Sequence, residues 1–449
     1  MRTLTEQVAA VADRKVSPVE LVEASLDAVE RVEDLTNAFT VVIPDDAMMR
    51  ARELEVQSGP RGPLHGVPVA VKDLYDVAGT PTSGCCGAYI DRIAYDDSAV
   101  VSRLREAGAV IVAKTNMHEL AFGATSQVSY YGGVRNPWDT KRIPAGSSGG
   151  SGAAVAGGAV AMAMGSDTGG SIRLPSAMCG VTGLKPTHGA VSLRGALPMT
   201  ASFDTGGPLA VSAQDCLLVH KVIAGFDPGY VYSRSGNAVP AKDIGEVRIG
   251  VLRNWISLAE PAVSEAVDAV VDELSRAGCT LVDIDGIDPL VIRDAAFPVL
   301  VGEFAHHFRD IWDDERVHET IHGLMTIGRQ VLAADYAAGR EAALRVHLEM
   351  LANIEGLDGL LAPCAPFPAP RIDEVDNLTE AVRSTVFTLP VNAAGLPSVA
   401  FPTGFSEGMP VGAQLIGAPW SEELLCGVVS AYQQATDWHL RAVPIGSGV

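Results

Sequence analysis

The stretch PAGSSGGSGAAVAGGAVAMAMGSDTGGSIRLP, residues 144–175, carries most of the information in this sequence. Gly146 to Gly152 contains only Gly and Ser, a composition typical of flexible linkers. The next run, Ala153 to Met164, consists of small apolar residues that favour burial, and a second Gly-rich turn follows at residues 168–171. Two Gly/Ser loops that flank a buried small-residue helix predict a backbone held close to a ligand rather than a spacer.

The two loops are better interpreted as part of an oxyanion hole than as a loop that binds a nucleotide phosphate. A P-loop ends in a Lys followed by Ser or Thr, and neither glycine run ends that way. Consecutive backbone N–H groups of Thr168, Gly169, Gly170 and Ser171 could instead converge on one oxygen and form an oxyanion hole.

A serine in such a loop needs a base before it can act as a nucleophile near neutral pH. His188 is the nearest histidine in sequence, and nothing around it marks it as that base. Lys72 ends the apolar run VPVAV, and burial there would lower its pKa and leave a neutral amine. The alternative for Lys72 is an ordinary ion pair with Asp73 or Asp76 at a strand end.

Strand and helix patterns alternate along the rest of the chain, which predicts an α/β protein with a sheet covered by helices. Ser17-Pro18-Val19-Glu20 is a capping box that opens a helix. Residues 1–60 are interpreted as an N-terminal helical segment, about 290–355 as a helical insertion, and 1–449 as a single domain. Further strands are predicted at 67–72, 109–113, 247–252, 279–284, 359–362, 398–401 and 411–416, and further helices at 97–107, 261–277 and 422–435.

Amino-acid composition limits the kinds of binding partner that are expected. The chain has 449 residues, 47% of them hydrophobic, and a formal net charge of −21. An acidic surface repels nucleic-acid phosphates and anionic lipids, so neither nucleic acid nor membrane is expected as a partner. No signal-peptide pattern or apolar membrane-spanning run is seen, and seven scattered Cys favour a reducing, cytoplasmic location.

Several separate blocks carry a resemblance that spans nearly the whole chain. They are GVPVAVKDLYDVAGTPTSGC (66–85), KTNMHELAFG (114–123), RNPWD (135–139), the stretch from 146 to 189, GLPSVAFPTGF (395–405) and PVGAQLIG (410–417). Together, and in this order, they resemble the amidase signature family. The resemblance implies a large mixed, twisted β-sheet covered by helices on both faces, and an amide hydrolase without metal or organic cofactor.

The family uses a Ser–cis-Ser–Lys triad, and the resemblance places its members on Lys72, Ser147 and Ser171. Ser171 would take the acyl group, and Ser147, preceded by a cis peptide bond, would relay the proton to Lys72. The resemblance further implies an oxyanion hole from the N–H groups of Thr168 to Ser171. It places substrate-lining positions at Ala121, Phe122 and Gly123, and positions that brace the loop at Ser148, Asp167 and Arg173.

An apolar acyl surround is expected from Ala121, Phe122, Leu174, Met178 and Leu197. The predicted substrate is therefore a small amide with apolar or aromatic groups, an anilide or a carbamate (urethane), with esterase or urethanase activity as a side reaction. Whether the chain forms a homodimer is left open by the sequence.

Two other hydrolase patterns compete with this interpretation. Gly146-Ser147-Ser148-Gly149-Gly150 satisfies G-x-S-x-G, which would make Ser148 the nucleophile of an α/β-hydrolase, although no buried strand precedes it. His318-Glu319-Thr320-Ile321-His322 satisfies the zinc-protease pattern H-E-x-x-H, with both imidazoles on one helix face and Glu341 as a third ligand. The competing interpretation is an ordinary helix with Val317, Ile321 and Leu324 facing inward.

The remaining alternative is the GatA subunit of the tRNA-dependent amidotransferase, which shares the fold and works in a complex. The chain lacks the GYYDAYY-like block of that subunit and has LAADYAAGREAALRV at 332–346 instead. Its acidity also favours a stand-alone enzyme.

Overall fold

A single mixed β-sheet of eleven strands organises the computed structural model, which describes residues 3–57 and 62–444. Among these residues the strand order is β1-β3-β2-β4-β6-β5-β10-β11-β9-β7-β8. The strands are β1 (Phe39–Val42), β2 (Pro68–Lys72), β3 (Val110–Thr115), β4 (Met162–Asp167), β5 (Thr182–Lys185), β6 (Thr205–Ala210), β7 (Arg248–Leu252), β8 (Thr280–Ile284), β9 (Gly359–Pro363), β10 (Ser398–Ser406) and β11 (Met409–Ile416).

Helices connect and flank these strands. Within the described ranges they are α1 (Leu4–Ala12), α2 (Pro18–Thr36), α3 (Pro44–Glu55), α4 (Ala99–Glu106), α5 (Gly149–Ala156), α6 (Arg173–Cys179), α7 (Ala213–Ile223), α8 (Arg253–Ile256), α9 (Pro261–Arg276), α10 (Val291–His307), α11 (Glu319–Gly328), α12 (Ala333–Ile354), α13 (Asn377–Ser384), α14 (Leu389–Ala393) and α15 (Glu422–Ala435). No helix in the described part is both long and apolar enough to span a bilayer.

Both faces of the sheet are covered. All five residues of β2 are buried, and Val69 and Val71 join one hydrophobic cluster while Ala70 joins another. Successive side chains of a strand point to opposite faces, so the two clusters lie on opposite sides of the sheet. The predicted fold class, a mixed sheet flanked by helices, is confirmed.

Parallel pairing in one half of the sheet places the residues of the candidate site at the same edge. β2 is parallel to both β3 and β4, whereas β4 is antiparallel to β6. Because parallel strands end at the same edge of a sheet, the carboxyl ends of β2 and β4 bring Lys72 and Asp167 to one edge.

Many predicted elements are present. The helix opened by Ser17 is α2, and its capping box forms as predicted. The strands and helices expected after residue 240 agree with β7, α9, β8, β9, β10, β11 and α15, with differences mainly at their ends. The region predicted as a helical insertion, about 290–355, contains α10, α11 and α12.

Two predictions at element level are wrong. The small-residue run is not one helix, because α5 stops at a Gly157-Gly158 turn, Gly158 has φ +77°, and Met162 opens β4. The N-terminal segment is not wholly helical either, because β1 pairs antiparallel with β3. The break expected at 58–66 lies partly outside the described residues.

Candidate active site

Lys72 lies at the centre of a buried hydroxyl cluster. Its side chain is fully buried, and Nζ donates to Ser147 Oγ at 2.7 Å, Ser148 Oγ at 2.8 Å and Ser166 Oγ at 2.9 Å. Burial lowers its pKa to about 7, although the negative charges of Asp167 and Asp204 oppose this effect. A buried lysine with this pKa is half neutral near pH 7 and can accept a proton.

The alternative of an ion pair between Lys72 and Asp73 or Asp76 is wrong, because each of these two carboxylates pairs with another cation. Asp73 lies 2.8 Å from Lys114 Nζ, and both side chains are buried. Asp76 pairs with Arg92 at 2.6 Å. Lys72 is therefore a buried amine that faces hydroxyl groups.

Ser147 enters the cluster from the loop before α5. The Gly146–Ser147 peptide bond is cis. The Ser147 carbonyl accepts hydrogen bonds from His118 N at 3.0 Å and Ser126 Oγ at 3.4 Å, which fix the loop. The hydroxyl of Ser147 is thereby held beside Lys72 Nζ.

Ser171 precedes α6 and is only 8% exposed. With Gly146 and Gly169 it lines a cavity of about 300 Å³, which we call the acyl cavity. Ala121, Phe122 and Gly123, the positions predicted to contact substrate, all line it. Most of the remaining wall is apolar, with contributions from Phe297, Leu300, Leu324, Ile327, Leu378 and Leu389.

Three side chains expected in the acyl surround do not line the acyl cavity. Leu174 and Met178 are buried in a core cluster with Ile143 and Phe367, because α6 turns its apolar side toward that cluster. Leu197 lines a neighbouring cavity instead.

A buried ion pair braces the turn that carries Ser171. Asp167 and Arg173 lie 3.0 Å apart with both side chains fully buried. Asp167 also accepts hydrogen bonds from the backbone N–H groups of Gly170 and Ile172, and Arg173 reaches Gln414 on β11. Burial raises the pKa of Asp167, but the charge of Arg173 outweighs that effect and holds the pKa at about 2.

The predicted oxyanion hole needs one correction. The Gly170 N–H donates to Asp167 Oδ1 at 2.8 Å, so it is already engaged. Among the described residues the backbone N–H groups of Thr168, Gly169 and Ser171 have no hydrogen-bond acceptor. These three predicted donors remain available to a substrate oxygen.

Both competing hydrolase patterns lack the geometry that they require. No strand leads into Ser148; its Oγ is fully buried, accepts from Lys72 Nζ and donates to Ser166 O at 3.2 Å. His318 is the N-cap of α11, where its Nδ1 accepts the Thr320 N–H, so its ring does not share a helix face with His322. Val317, Ile321 and Leu324 face inward, as the alternative interpretation predicted.

A second cavity of about 310 Å³, which we call the amine cavity, adjoins the first. Ala121 and Met199 line both cavities. Ser166, a partner of Lys72, and Thr168 line the amine cavity, and Thr168 Oγ1 donates to the buried carboxylate of Asp204 at 2.5 Å.

Sequence reasoning missed Ser166, Asp204 and Gln414. The position of Gln414 inside the apolar strand VGAQLIG could have indicated a buried polar contact, because a buried amide needs polar partners. Asp204 offered no comparable local pattern.

The fold and the site define a class of protein, and sequence comparison agrees. The model of the family described as Amidase matches residues 20–426. The chain therefore belongs to the amidase signature family and is an amidase-family hydrolase.

Relatives with known names are similar over their whole length. The GatA subunit of the glutamyl-tRNA(Gln) amidotransferase of Methylococcus capsulatus is 36% identical, covering 98% of each chain. A chain of a vestigial protein complex that reveals the evolutionary origins of an s-triazine catabolic enzyme is 33% identical with a TM-score of 0.90, covering 96% of this chain and 98% of that one. A 6-aminohexanoate cyclic dimer hydrolase is 27% identical with a TM-score of 0.90, covering 99% and 98%.

Proposed function

We propose that this protein hydrolyses amides through an acyl-enzyme on Ser171, with Ser147 as proton relay and Lys72 as base. The observation that carries the proposal is the 2.7 Å contact between Lys72 Nζ and Ser147 Oγ inside a buried cluster. Desolvation of the lysine supports the proposal, because it supplies the neutral amine that the reaction needs.

The proposed proton path runs from Ser171 through Ser147 to Lys72, and the contact between Lys72 and Ser147 supports its second step. Neutral Lys72 accepts the proton of Ser147, which accepts that of Ser171 as the Ser171 oxygen attacks the substrate carbonyl carbon. The N–H groups of Thr168, Gly169 and Ser171 stabilise the negative oxygen of the tetrahedral intermediate. The proton then returns through Ser147 to the nitrogen, the C–N bond breaks, and the amine leaves. Water attacks the ester on Ser171 by the same relay and releases the acid.

The acyl cavity supports an apolar acyl group. Phe122, Leu324 and Leu389 are part of its wall, and burial of such surface favours an apolar ligand. Arg293, the one cationic side chain of the lining, is paired with Asp294 at 2.8 Å. We propose apolar or aromatic amides, anilides or carbamates as substrates.

A second candidate function is that of an amidotransferase GatA subunit, which would release ammonia from an amide within a complex. The identity to named relatives, 36% over 98% of the chain, favours this candidate over a stand-alone enzyme. The apolar wall favours the first candidate, because an amino-acid amide such as glutamine carries two charges that need polar partners.

Turnover by the purified chain alone separates the two candidates. The panel contains an acyl anilide, a carbamate, short aliphatic amides, a p-nitrophenyl ester and glutamine. We expect hydrolysis of the apolar amides without a partner, and a loss of about 1,000-fold or more in Ser171→Ala. If glutamine were the only substrate hydrolysed, or if activity appeared only after partner subunits were added, the amidotransferase would be favoured.

Ser148→Ala is the matched control for Ser171→Ala. Ser148 donates to the Ser166 carbonyl and is proposed to brace the loop, so its loss should lower activity without preventing acylation. If Ser148→Ala abolished acylation while Ser171→Ala kept it, the assignment of the nucleophile would be wrong.

A further inference from the structure

We infer that the amine cavity holds the leaving group of a secondary amide, so that the enzyme acts on N-substituted amides in preference to primary carboxamides. This inference rests on the proposed function and adds the class of amine to it. It predicts a substrate with an apolar acyl part on one side of the scissile bond and an amine part of similar size on the other.

The position of the two cavities supports this division. Ser171 and Gly169 line the acyl cavity, whereas Ser166 on β4 and Thr168 at the start of the turn line the amine cavity. Because Ala121 and Met199 belong to both walls, the two cavities adjoin at these residues. The inference requires a single substrate to extend from one cavity into the other at this point.

The route of the proton indicates which cavity receives the amine. Ser166 Oγ lies 2.9 Å from Lys72 Nζ and is itself part of the amine-cavity wall. Lys72, the base of the proposed relay, therefore lies one hydrogen bond from the wall of the amine cavity, and we infer that the protonated amine leaves on that side. The acyl group stays on Ser171, in the cavity that Ser171 lines.

Size decides between a primary and a secondary amide. Ammonia is comparable to water, which takes about 30 Å³ in the liquid. A cavity of about 310 Å³ therefore has room for a much larger leaving group than the ammonia of a primary amide. Its wall is also suited to carbon rather than to ammonia, since it includes Leu74, Leu193, Leu197, Pro198, Tyr230 and Tyr232.

The test compares hexanamide with N-benzylhexanamide, which share an acyl group and release amines of similar basicity. Wild-type protein should show the higher kcat/KM for the benzyl amide. Ala196→Phe adds a ring to the wall of the amine cavity, and we expect it to lower the ratio of the two kcat/KM values by about tenfold or more.

Ile327→Trp is the matched control, because Ile327 lines only the acyl cavity of the two. It should lower kcat/KM for both substrates together and keep their ratio within about twofold, since the acyl group is shared. Equal melting temperatures for the variants would establish that both are folded.

Each outcome decides something. A ratio that Ala196→Phe leaves unchanged, or a wild-type preference for hexanamide, would overturn the inference while leaving acylation of Ser171 intact. In the latter case the cavity would serve as an outlet for ammonia, as the amidotransferase candidate requires. Failure to hydrolyse either amide, together with no acylation of Ser171, would instead overturn the proposed function.

A structure of the Ser171→Ala protein with N-benzylhexanamide gives a readout that does not depend on turnover. The benzyl group is expected against Leu197 and Tyr230, and the hexanoyl chain against Phe122 and Leu324. The reverse orientation, or both groups in one cavity, would contradict the inference.

Discussion

At the scale of single residues, the hydroxyl partners of the buried Lys72 determine the chemistry. Burial lowers the pKa of Lys114 as well, but the carboxylate of Asp73, 2.8 Å from Lys114 Nζ, opposes that shift. Lys72 instead faces three hydroxyl groups, and burial brings its pKa to about 7. The difference between the two lysines is therefore one of partners, not of depth.

The activity should consequently rise with pH. Protonated Lys72 cannot accept a proton, so kcat/KM for a neutral amide should increase as the pH passes through about 7 and then level off. The measurement is a rate profile from about pH 5 to about pH 9. Lys72→Arg, which stays protonated throughout, should abolish the ascending limb together with the activity.

A flat profile over this range would contradict the role of Lys72, and so would a profile that falls as the pH rises. Substitution of Lys114 is not a suitable control for the rate, because it would leave the buried Asp73 without its cation. An exposed lysine such as Lys15 offers a better one.

At the scale of elements, helix α5 packs closely against the backbone near Ala38 and Asn116. All of its residues are buried. A Cβ on Gly150 would lie 2.3 Å from the Asn116 carbonyl oxygen and 2.5 Å from that of Ala38. The glycines of the 146–152 run are therefore needed for close packing, which explains why a linker-like composition occurs in a core helix.

Gly150→Ala should destabilise the protein by about 1–3 kcal/mol, because backbone atoms cannot move aside as side chains can. Urea unfolding provides the free energy. Gly245→Ala is the matched control: no atom lies within 4 Å of that Cβ position, so its unfolding free energy should change little. If the Gly150→Ala protein were as stable as the Gly245→Ala protein, α5 would be able to move away from the carbonyl groups of Asn116 and Ala38 without a loss of stability.

The limits of sequence reasoning are visible in the same region. Burial of residues 153–164 was predictable from their apolar side chains, yet the change from α5 to β4 was not. Alanine, valine and methionine fit both structures, and hydrophobic periodicity cannot separate a short buried helix from a buried strand. The contact of Arg173 with Gln414 spans 241 residues, so only the assembled sheet reveals it.

At the scale of the whole molecule, one sheet contains strands from both the N-terminal and the C-terminal halves of the described chain. β1 and β8 lie at its opposite edges, and every neighbouring pair between them is hydrogen-bonded. The turn with Ser171 is tied to the second half of the sheet through Arg173 and Gln414. The site therefore depends on both halves.

This continuity predicts a single thermal unfolding transition, with equal calorimetric and van't Hoff enthalpies. Differential scanning calorimetry provides both quantities. Two resolved transitions would mean that the chain contains two independently stable units and that the proposed single domain of residues 1–449 is wrong.

The alternation of strands and helices, and the order of the sequence blocks, were sufficient to predict the fold class and the neighbourhood of Lys72 and Ser147. The amine cavity was not predictable, because its wall combines residues near 74, 166, 197 and 230 that only the fold brings together. Because substrate choice depends on cavity walls formed by residues that are distant in sequence, the class of amide could not be predicted from the sequence.

The most direct test of the account is intact-protein mass spectrometry after reaction with an activated hexanoyl ester. We predict a mass increase of one acyl group, located on Ser171 by peptide mapping and absent from Ser171→Ala. An acyl group found on Ser148 or on a cysteine, or full amide turnover by Ser171→Ala, would contradict the account.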